Sequence, residues 1–516
     1  MKRKNAKSRQ SVARAQTRAQ NRSRRSGKQK GVAVAINVDM TTKTHENTQA
    51  PPDSPYLRTD SGNAELFAVL YADRLRYDHK RGRWLIWKDG RWWAKDDIAL
   101  VARMAKNVAR LRLKNGKGNR DEIKWALSSE SRQRLEAMIE LAKSERALAD
   151  SGDGWDSDPW LLGVANGVVD LRTGVVREGK QSEKITLHTK IAFDPTARAP
   201  RWEQFINEVF ENNRELIEYV QRAVGYSITG EVSEQVIFLA YGSGANGKST
   251  FVEMMRHALG EYAHNLPFSA FELQNRSAIP NDIAALESRR FATAIETSET
   301  SRLNEARIKA LTGSDPITAR YLYGEFFTFI PTAKFWLVFN HFPKVKDESE
   351  GFWRRVRVIP FQHQFARNNR DKKLLEKLKQ ETAGILNWAI EGARKWKEQG
   401  LDTPAIVTQM SEQYRQESDV LAEFIEDCCE LDPDALVKSG ALWHEYLRWK
   451  REQGDEDVID RTAFGVKLQA RGMKMVKIGK DRTRGWRGIR LKSDDLAEFF
   501  NVGPQFPTRV EEGMLA

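Results

Sequence analysis

The chain has 516 residues, 40% hydrophobic and 30% charged, which fits a folded protein of several domains and excludes a single small module. No apolar run approaches the roughly 18 residues of a membrane span, so we expect no integral membrane segment. The only cysteines, Cys428 and Cys429, are adjacent, which excludes a disulfide framework and fits the reducing cytoplasm of a bacterial host. The net charge of +13 is concentrated, because residues 1–30 carry twelve basic and no acidic side chains.

Residues 1–62 lack hydrophobic periodicity and contain three prolines between positions 51 and 55. This pattern predicts a disordered basic arm followed by a linker. An internal start at Met40 would leave residues 1–39 untranslated, and this alternative stays open.

Residues 63–150 are predicted as a small α+β region. Between Arg81 and Lys95, an Asp89–Gly90 turn joins two short aromatic segments, the pattern of a β-hairpin. Its tryptophans alternate with basic residues, so they could stack on single-stranded bases or pack a small sheet, and packing is the favoured interpretation. These tryptophans are Trp84, Trp87, Trp92 and Trp93.

Residues 151–230 are predicted as a further domain of short strands followed by helices. Its first residues include Asp153, Asp156 and Asp158, a spacing that permits a divalent-metal site. Neighbouring glycines and Pro159 favour a solvated loop instead.

The most specific motif lies within residues 231–400. A buried-type strand leads into G-x-x-x-x-G-K-S and then into a helix that ends at Gly260. Such a loop turns backbone N–H groups toward phosphate oxygens, and the helix N-terminus adds partial positive charge. Lys248 is expected to reach the β- and γ-phosphates of ATP, and the Ser249 hydroxyl to ligate Mg²⁺. The predicted nucleotide-binding residues are Gly242, Ser243, Gly244, Ala245, Asn246, Gly247, Lys248, Ser249 and Thr250.

The same glycines also spell G-x-G-x-x-G, the fingerprint of dinucleotide-dependent enzymes. That motif leaves the Lys248–Ser249 pair unexplained, so the dinucleotide interpretation is the weaker one.

Further polar residues are predicted to lie beside this loop, because parallel strands present their carboxyl ends at one edge of a sheet. Glu296 and Glu299 end one predicted strand; Glu296 is the better Mg²⁺ ligand and Glu299 could activate water, with the reverse assignment open. Asn340 ends the next strand and could orient water against the γ-phosphate. Beyond it, Arg354 or Arg355 could stabilise transition-state charge on a neighbouring subunit's nucleotide, although a surface or salt-bridge role is as plausible for either.

Taken in order, these motifs resemble the superfamily 3 helicase module of phage and plasmid primase-helicases, related to the poxvirus primase-helicase. The motifs are Gly-Ala-Asn-Gly-Lys-Ser at 244–249, the strand with Glu296 and Glu299, residues 309–320, Phe-Asn-His-Phe-Pro at 339–343 and Trp-Arg-Arg at 353–355. The resemblance covers roughly residues 155–365. It implies a ring-forming AAA+-type helicase, hexamer-like, that uses ATP and Mg²⁺ to translocate on single-stranded DNA during replication.

The resemblance also implies roles for individual residues. By position, Lys248 and Ser249 are Walker A, Glu296 and Glu299 are Walker B, Asn340 is the sensor, and Arg354 or Arg355 is the arginine finger acting in trans. Rings of this superfamily hold DNA with a hairpin before the sensor strand, which gives Arg320, Tyr323 and, from the next strand, Lys334 as candidate DNA contacts.

Two departures from the family pattern matter. Glu325 stands where a basic hairpin-tip residue is expected. Residues 1–150 do not show the paired acids and catalytic histidine of a priming domain, so we expect no priming activity in this chain, and a separate primase could act beside it.

Residues 401–495 are predicted as a helical connector and a winged-helix-like domain, and residues 496–516 as a tail. Between Arg461 and Lys492, eleven basic residues stand against Asp481 alone, which predicts salt-sensitive DNA binding. A solvated basic face without a ligand is the alternative. The predicted contacts are Arg471, Lys474, Arg482, Arg484 and Arg487.

The sequence therefore predicts an α/β protein in which a P-loop AAA+-type motor stands between a small α+β N-terminal region and a C-terminal winged-helix-like domain. We expect an ATP-dependent replicative DNA helicase that acts on single-stranded and forked DNA. The alternative is a replication initiator that uses ATP as an assembly switch without unwinding. The arm carries +12 and residues 461–492 carry +10, so the remainder carries −9 and two basic segments bracket an acidic body.

Overall fold

The computed structural model describes most of the chain from residue 56 onward. The described residues are 56–88, 90–273, 281–296, 302–320, 325–345, 347, 349–453 and 458–492. These residues belong to one compact unit. Most of the predicted arm and linker, and the predicted tail, lie outside the described residues.

The N-terminal region packs helices against one face of a small sheet. Its elements are α1 (Asp60–Tyr71), β1 (Leu75–Asp78), β2 (Arg83–Trp87), β3 (Trp93–Lys95), α2 (Leu100–Asn115), α3 (Arg120–Ser129), α4 (Arg132–Ala142) and β4 (Ala149–Asp150). The strand order is β3-β2-β1-β4, and β2 and β3 form the predicted antiparallel hairpin. Apolar residues of α1, α2 and α4 enclose Leu75 and Ile86 of the sheet.

The hairpin tryptophans belong mainly to the packing of this region. Trp92 and Trp93 are only 8% and 1% exposed. Trp92 stacks on His188 with ring centroids 4.0 Å apart, and Trp93 Nε1 donates to the carbonyl of Gln181 at 3.1 Å. Because these two rings are covered, the structure supports the packing interpretation over base stacking.

The next region consists of an antiparallel sheet and two helices. Its elements are β5 (Leu161–Val164), β6 (Gly167–Asp170), β7 (Val175–Arg177), α5 (Pro200–Val209) and α6 (Arg214–Ile228). The hydroxyl of Tyr262, from the following region, accepts from Gly163 N and donates to Leu187 O, both at 2.8 Å. This tyrosine joins the antiparallel sheet to the parallel sheet described next.

The acidic cluster before β5 stabilises loops. Asp156 accepts from the backbone N–H groups of Thr186 and Leu187 at 2.6 and 3.1 Å. Asp158 caps the following turn, and Asp153 pairs with Lys80 at 3.3 Å. Across the part of the chain that the structure describes, no group of three or more His, Cys, Asp and Glu side chains is suited to a metal, so the loop interpretation is supported.

A five-stranded parallel sheet forms the centre of the molecule. The elements of this region are β8 (Ile237–Tyr241), α7 (Lys248–Leu259), β9 (Ala263–Asn265), α8 (Asn281–Ala284), β10 (Phe291–Ile295), α9 (Glu305–Thr312), β11 (Ile317–Arg320), β12 (Phe326–Phe329), β13 (Lys334–Phe339), α10 (Glu350–Trp353) and β14 (Val356–Pro360). The strand order is β14-β8-β13-β10-β9. Its central strands are buried along almost their whole length, as expected for a parallel sheet covered on both faces.

Three helices follow the sheet and cover it: α11 (Leu374–Gln380), α12 (Thr382–Gln399) and α13 (Ala405–Glu417). Helix α12 crosses α6 where Gly225 faces Gly392. A Cβ atom on Gly225 would lie 1.9 Å from the Gly392 carbonyl carbon, and one on Gly392 would lie 2.1 Å from the Gln221 carbonyl oxygen. The two backbones therefore approach each other more closely than any side chain at these positions would permit.

The C-terminal region has its own core. Its elements are α14 (Val420–Cys428), β15 (Cys429–Glu430), β16 (Leu436–Lys438), α15 (Ser439–Glu452), α16 (Arg461–Ala470), β17 (Lys474–Ile478), β18 (Thr483–Arg487) and β19 (Arg490–Leu491). Strands β16, β18 and β17 form an antiparallel sheet over Tyr446, Phe464 and Trp486. None of the described helices in the chain is both long and apolar enough to cross a membrane.

Candidate functional site

The glycine-rich loop at 242–247 joins β8 to α7 at the carboxyl edge of the parallel sheet. Gly244 and Gly247 have φ values of 83° and 86°, in the left-handed region that glycine adopts without strain. A Cβ on Gly247 would lie 2.7 Å from Val209 Cγ2 of α5. Both backbone conformation and close packing thus require glycine at position 247, and the loop leads directly into the N-terminus of α7.

Lys248 folds back over this loop. Its side chain is 3% exposed, and Nζ donates to the Gly242 carbonyl and to Asn246 Oδ1, the latter at 2.9 Å. Burial lowers the pKa of Lys248 to about 8. Asn246 Nδ2 in turn donates to Phe361 O at 2.9 Å, immediately after β14. The lysine is therefore held by neutral acceptors, and a bound anion would be a stronger partner for it.

Two other predicted residues reach the same edge. The register pairs Ile295 of β10 with Val338 of β13, and Phe339 of β13 with Tyr241 of β8. Asn340 therefore follows the end of β13, which is next to the loop strand, and Glu296 follows the end of β10, the strand beyond it. With about 4.8 Å between strands, Asn340 lies one strand from the loop and Glu296 two.

Ser249 and Glu296 supply the oxygen donors that a Mg²⁺ ion prefers. Ser249 is exposed in the first turn of α7, and Glu296 is partly exposed with its backbone N–H bonded to Val338 O at 3.0 Å. The chemistry of this donor pair fits the predicted ion. Glu299 lies outside the described residues.

A cavity of about 450 Å³ opens beside the loop. Loop and helix residues Ala245, Gly247 and Thr250 form one side of it. The other sides come from α5 and from the segment after β14: Arg201, Phe205, Glu208, His363, Phe365, Arg370, Asp371 and Leu374.

The segment after β14 is attached to the loop by hydrogen bonds. Phe365 N donates to Ala245 O at 3.0 Å, and Gln364 Nε2 donates to Ser243 Oγ at 2.5 Å. This segment and α5 were not predicted from the sequence, because no local motif marks residues that meet the loop only through tertiary packing.

The two candidate arginine fingers have different environments. Arg355 is 9% exposed, with Nε donating to Thr312 Oγ1 at 3.1 Å and Nη1 donating to Gly351 O. Arg354 is exposed and donates to Gln235 Oε1 at 2.9 Å. The prediction that Arg355 could be the arginine finger is corrected, because its guanidinium is hydrogen-bonded within its own chain. Arg354 is exposed instead.

The predicted DNA hairpin is present as β11 and β12, with Arg320 opposite Phe326. The Arg320 guanidinium lies over the Phe326 ring at 4.9 Å, and Phe326 is 59% exposed. Tyr323 lies outside the described residues.

Lys334 was predicted as a DNA contact, and that prediction is wrong. The residue is 2% exposed, and burial holds its pKa well below the usual range. Its Nζ donates to the carbonyls of Thr229, Glu231 and Thr332 at 2.5, 3.1 and 2.8 Å. It joins the amino end of β13 to the end of α6, and its side chain is too buried to contact DNA.

The C-terminal residues predicted to contact DNA also form two groups, one bound within the fold and one exposed. Arg471 is bound to the Asp419 carboxylate, which caps α14, so its predicted DNA contact is corrected to a structural ion pair. The remaining predicted contacts are exposed on or beside the β17–β18 hairpin: Lys474, Arg482, Arg484 and Arg487. Lys474 pairs in register with Arg487, and Lys477 with Arg484, which gives cations on both faces of the hairpin.

The fold and the site together define a mixed α/β protein whose parallel sheet carries a glycine-rich loop and a polar carboxyl edge. Residues 64–211 match the "D5 N terminal like" family, residues 240–355 a family of unknown function (DUF5906), and residues 416–485 the "Poxvirus D5 protein-like" family. Two segments of the chain therefore match D5-like families, and the predicted resemblance to the poxvirus primase-helicase is confirmed.

Viral proteins are among the similar sequences. A "Putative helicase" of Acanthamoeba polyphaga mimivirus is 29% identical over 294 residues, covering 53% of this chain and 31% of the relative. A "Putative helicase" of Frog virus 3 is 23% identical, with 66% and 43% covered, and a "Putative primase" of African swine fever virus is 25% identical, with 41% and 23% covered. The chain thus spans less than half the length of each of these relatives.

Among solved structures, the C-terminal region of NrS-1 aligns over 83% of this chain and 99% of that chain. The TM-score is 0.45 and the sequence identity 9%.

Proposed function

We propose that the chain is an ATP-dependent replicative DNA helicase of the phage and plasmid type, built around a P-loop AAA+-type motor. The observation that carries the proposal is the convergence of three groups at one edge of a parallel sheet: the loop with Lys248, Glu296 and Asn340. A P-loop enzyme needs these three kinds of group to bind phosphate, polarise water and respond to the γ-phosphate.

ATP would bind with its phosphates on the loop and its nucleoside in the adjacent 450 Å³ cavity. The cavity is continuous with the loop through Ala245 and Gly247, and Phe205 and Phe365 offer apolar surface for a base. Lys248 would exchange the Gly242 carbonyl for phosphate oxygens, a charged partner in place of a neutral one.

Ser249 and Glu296 would hold Mg²⁺, which supplies charge neutralisation for the phosphates when bound. Glu296 and Glu299 remain the two candidates for orienting the attacking water. Asn340, one strand from the loop, would hold that water against the γ-phosphate.

Arg354 would act on the nucleotide of a neighbouring subunit in a ring. Val356 pairs with Ile237 and Pro360 with Tyr241, so Arg354 lies at the opposite end of the sheet from its own loop, roughly 15 Å away along the strands. A finger that cannot reach its own site and points outward is suited to a shared site between subunits. A hexamer-type ring follows from the family resemblance.

DNA would contact two described surfaces. The β11–β12 hairpin, with Arg320, would hold single-stranded DNA in the ring. The C-terminal region, whose order of helices and strands fits a winged helix, would bind phosphates through Lys474, Arg484 and their exposed neighbours.

The test is DNA-stimulated ATP hydrolysis together with strand displacement on a forked substrate. Lys248→Ala is expected to abolish both, because the phosphates lose their cation; retained turnover would rule out this site. Hydrolysis by the wild-type protein without unwinding would favour the assembly-switch alternative.

A further inference from the structure

Helix α2 in the N-terminal region has two faces of different chemistry. One face buries Val101, Met104, Ala105, Val108 and Ala109 against the core. The other carries exposed cations at successive turns: Arg103, Lys106, Arg110 and Lys114. We call these four residues the α2 basic stripe.

The stripe has the regular spacing of a helix face. Its members are three, four and four residues apart, which places consecutive charges about 5.5 Å apart along an axis of about 17 Å. The charges continue past the helix end, because Lys117, Arg120 and Lys124 are also exposed. Between residues 100 and 124 the chain has eight basic and two acidic side chains, so this surface is strongly positive in a body that is acidic on average.

The fold makes little use of the stripe's cations, and Arg103 makes one exposed hydrogen bond, from Nη2 to the Ile98 carbonyl at 3.2 Å. Lys106 and Lys114 make no ion pair within the part of the chain that the structure describes. Arg110 reaches Glu130 at 3.2 Å, but both side chains are exposed, at 64% and 41%, and such a pair contributes little. The fold instead uses Arg112, which is 2% exposed and bound to Glu122 at 2.6 Å and Asn63 at 3.0 Å. Removing the stripe therefore leaves the core intact.

The chemistry of the stripe fits the phosphodiester backbone of DNA. No large hydrophobic side chain of α2 itself is exposed, and the exposed Ile98 and Leu127 precede and follow the helix, so the stripe lacks the apolar anchors found at the centre of protein interfaces. A row of hydrated cations is instead suited to a polyanion that releases counterions on binding. We propose that the α2 basic stripe is a DNA-backbone binding surface outside the motor, which holds a strand while the ring acts on it.

The experiment compares the full-length protein with the triple variant Arg103→Gln, Lys106→Gln and Lys114→Gln. Glutamine keeps the helix propensity and removes the charge. The matched control replaces three exposed cations elsewhere, Lys190, Arg198 and Lys397, with glutamine. Fluorescence anisotropy over a range of salt concentrations measures binding to a labelled single strand and to a duplex of equal length, with thermal unfolding recorded for each protein.

We expect unchanged unfolding and a shallower salt dependence for the stripe variant. Three lost phosphate contacts lower the slope of log K against log salt by about 2 on a single strand and by about 3 on a duplex. Affinity for a single strand falls about 100-fold at 0.1 M salt. The stripe holds the form of DNA on which the slope falls by the full value expected for that form.

A slope that matches the control variant on both DNAs would overturn the proposal, and the stripe would then serve an acidic protein or no ligand. The inference rests on DNA binding by the whole chain, but the two can be told apart. If the wild-type protein fails to bind DNA, the proposed function fails; if it binds and the stripe variant binds equally well, only the stripe proposal fails.

Discussion

Two buried lysines, Lys248 and Lys334, have different surroundings, and the difference separates a proposed phosphate ligand from a structural cation. Both are at most 3% exposed, and burial lowers the pKa of each. Lys334 has three backbone carbonyls around its ammonium and no route to a ligand. Lys248 lies at the loop, beside an open cavity, where a phosphate can replace its present acceptors. Burial alone does not distinguish the two lysines, and the replaceable acceptors beside a cavity are what favour Lys248 as the proposed phosphate ligand.

ATP affinity is expected to fall as pH rises above about 8. Lys248 in the free protein is protonated below its pKa of about 8 and neutral above it, while bound phosphates stabilise the ammonium. Binding above this pH must therefore take up a proton, and affinity should fall by up to about tenfold per pH unit. Calorimetry in two buffers of different ionisation enthalpy measures the uptake.

Lys248→Arg is the control for this pH dependence, because a guanidinium remains charged throughout the range. Its residual ATP binding should show no proton uptake at this site. Wild-type binding without proton uptake at high pH would contradict the assignment of Lys248 as the titrating phosphate ligand.

Helices α6 and α12 cross each other and pack in the same core as Phe205, Val209 and Phe251. Because this core lies under the glycine-rich loop, the position of the loop depends on the crossing. Gly225→Ala is expected to destabilise the protein by about 2 kcal/mol or more, since the new methyl would lie 1.9 Å from backbone. Urea unfolding measures the loss.

Gly440→Ala is the matched control for the crossing. Gly440 is also helical, but its Cβ would meet nothing within 4 Å, so alanine there should be neutral or stabilise by about 0.5–1 kcal/mol. Equal effects of the two substitutions would show that the crossing is not tightly packed.

The C-terminal hairpin allows a second element-scale prediction. Arg484→Gln with Arg487→Gln should reduce the salt slope of DNA binding by about 1–2 and leave stability within about 0.5 kcal/mol, because both side chains are exposed. Arg471→Gln should instead destabilise the C-terminal region, since the Asp419 carboxylate loses its partner. If Arg471→Gln weakened DNA binding without loss of stability, or the Arg484 and Arg487 substitutions lowered stability without weakening binding, these assignments would be contradicted.

At the scale of the whole molecule, the proposed ring requires that one nucleotide site be made by two subunits. Mixing Arg354→Ala subunits with Lys248→Ala subunits is expected to restore part of the ATPase activity, because some interfaces then combine an intact loop with an intact finger. The activity is measured across mixing ratios. Arg355→Ala should instead lower protein stability, since its guanidinium contacts Thr312 inside the chain. An absence of recovery in the mixture would argue against a finger acting in trans.

Features that are local in the chain could be predicted from its residues alone. Three features were predicted from glycine positions, apolar runs or charge that neighbouring residues share: the loop motif at 242–250, the strands that end before Glu296 and Asn340, and the basic C-terminal segment. The β11–β12 hairpin was expected only from the family resemblance.

The three-dimensional packing, by contrast, determines which of the predicted polar residues are available to bind a ligand. It buried Lys334 and Arg355 and paired Arg471 with Asp419, and it brought α5 and the segment after β14 to the loop. It also left the stripe on α2 exposed, although the same helix contains the buried Arg112. These outcomes depend on contacts between residues far apart in the chain, which no local pattern contains. The charge and type of each residue can therefore be read from the sequence, whereas the exposure and the bonding partners of its side chain are set only when distant segments pack together.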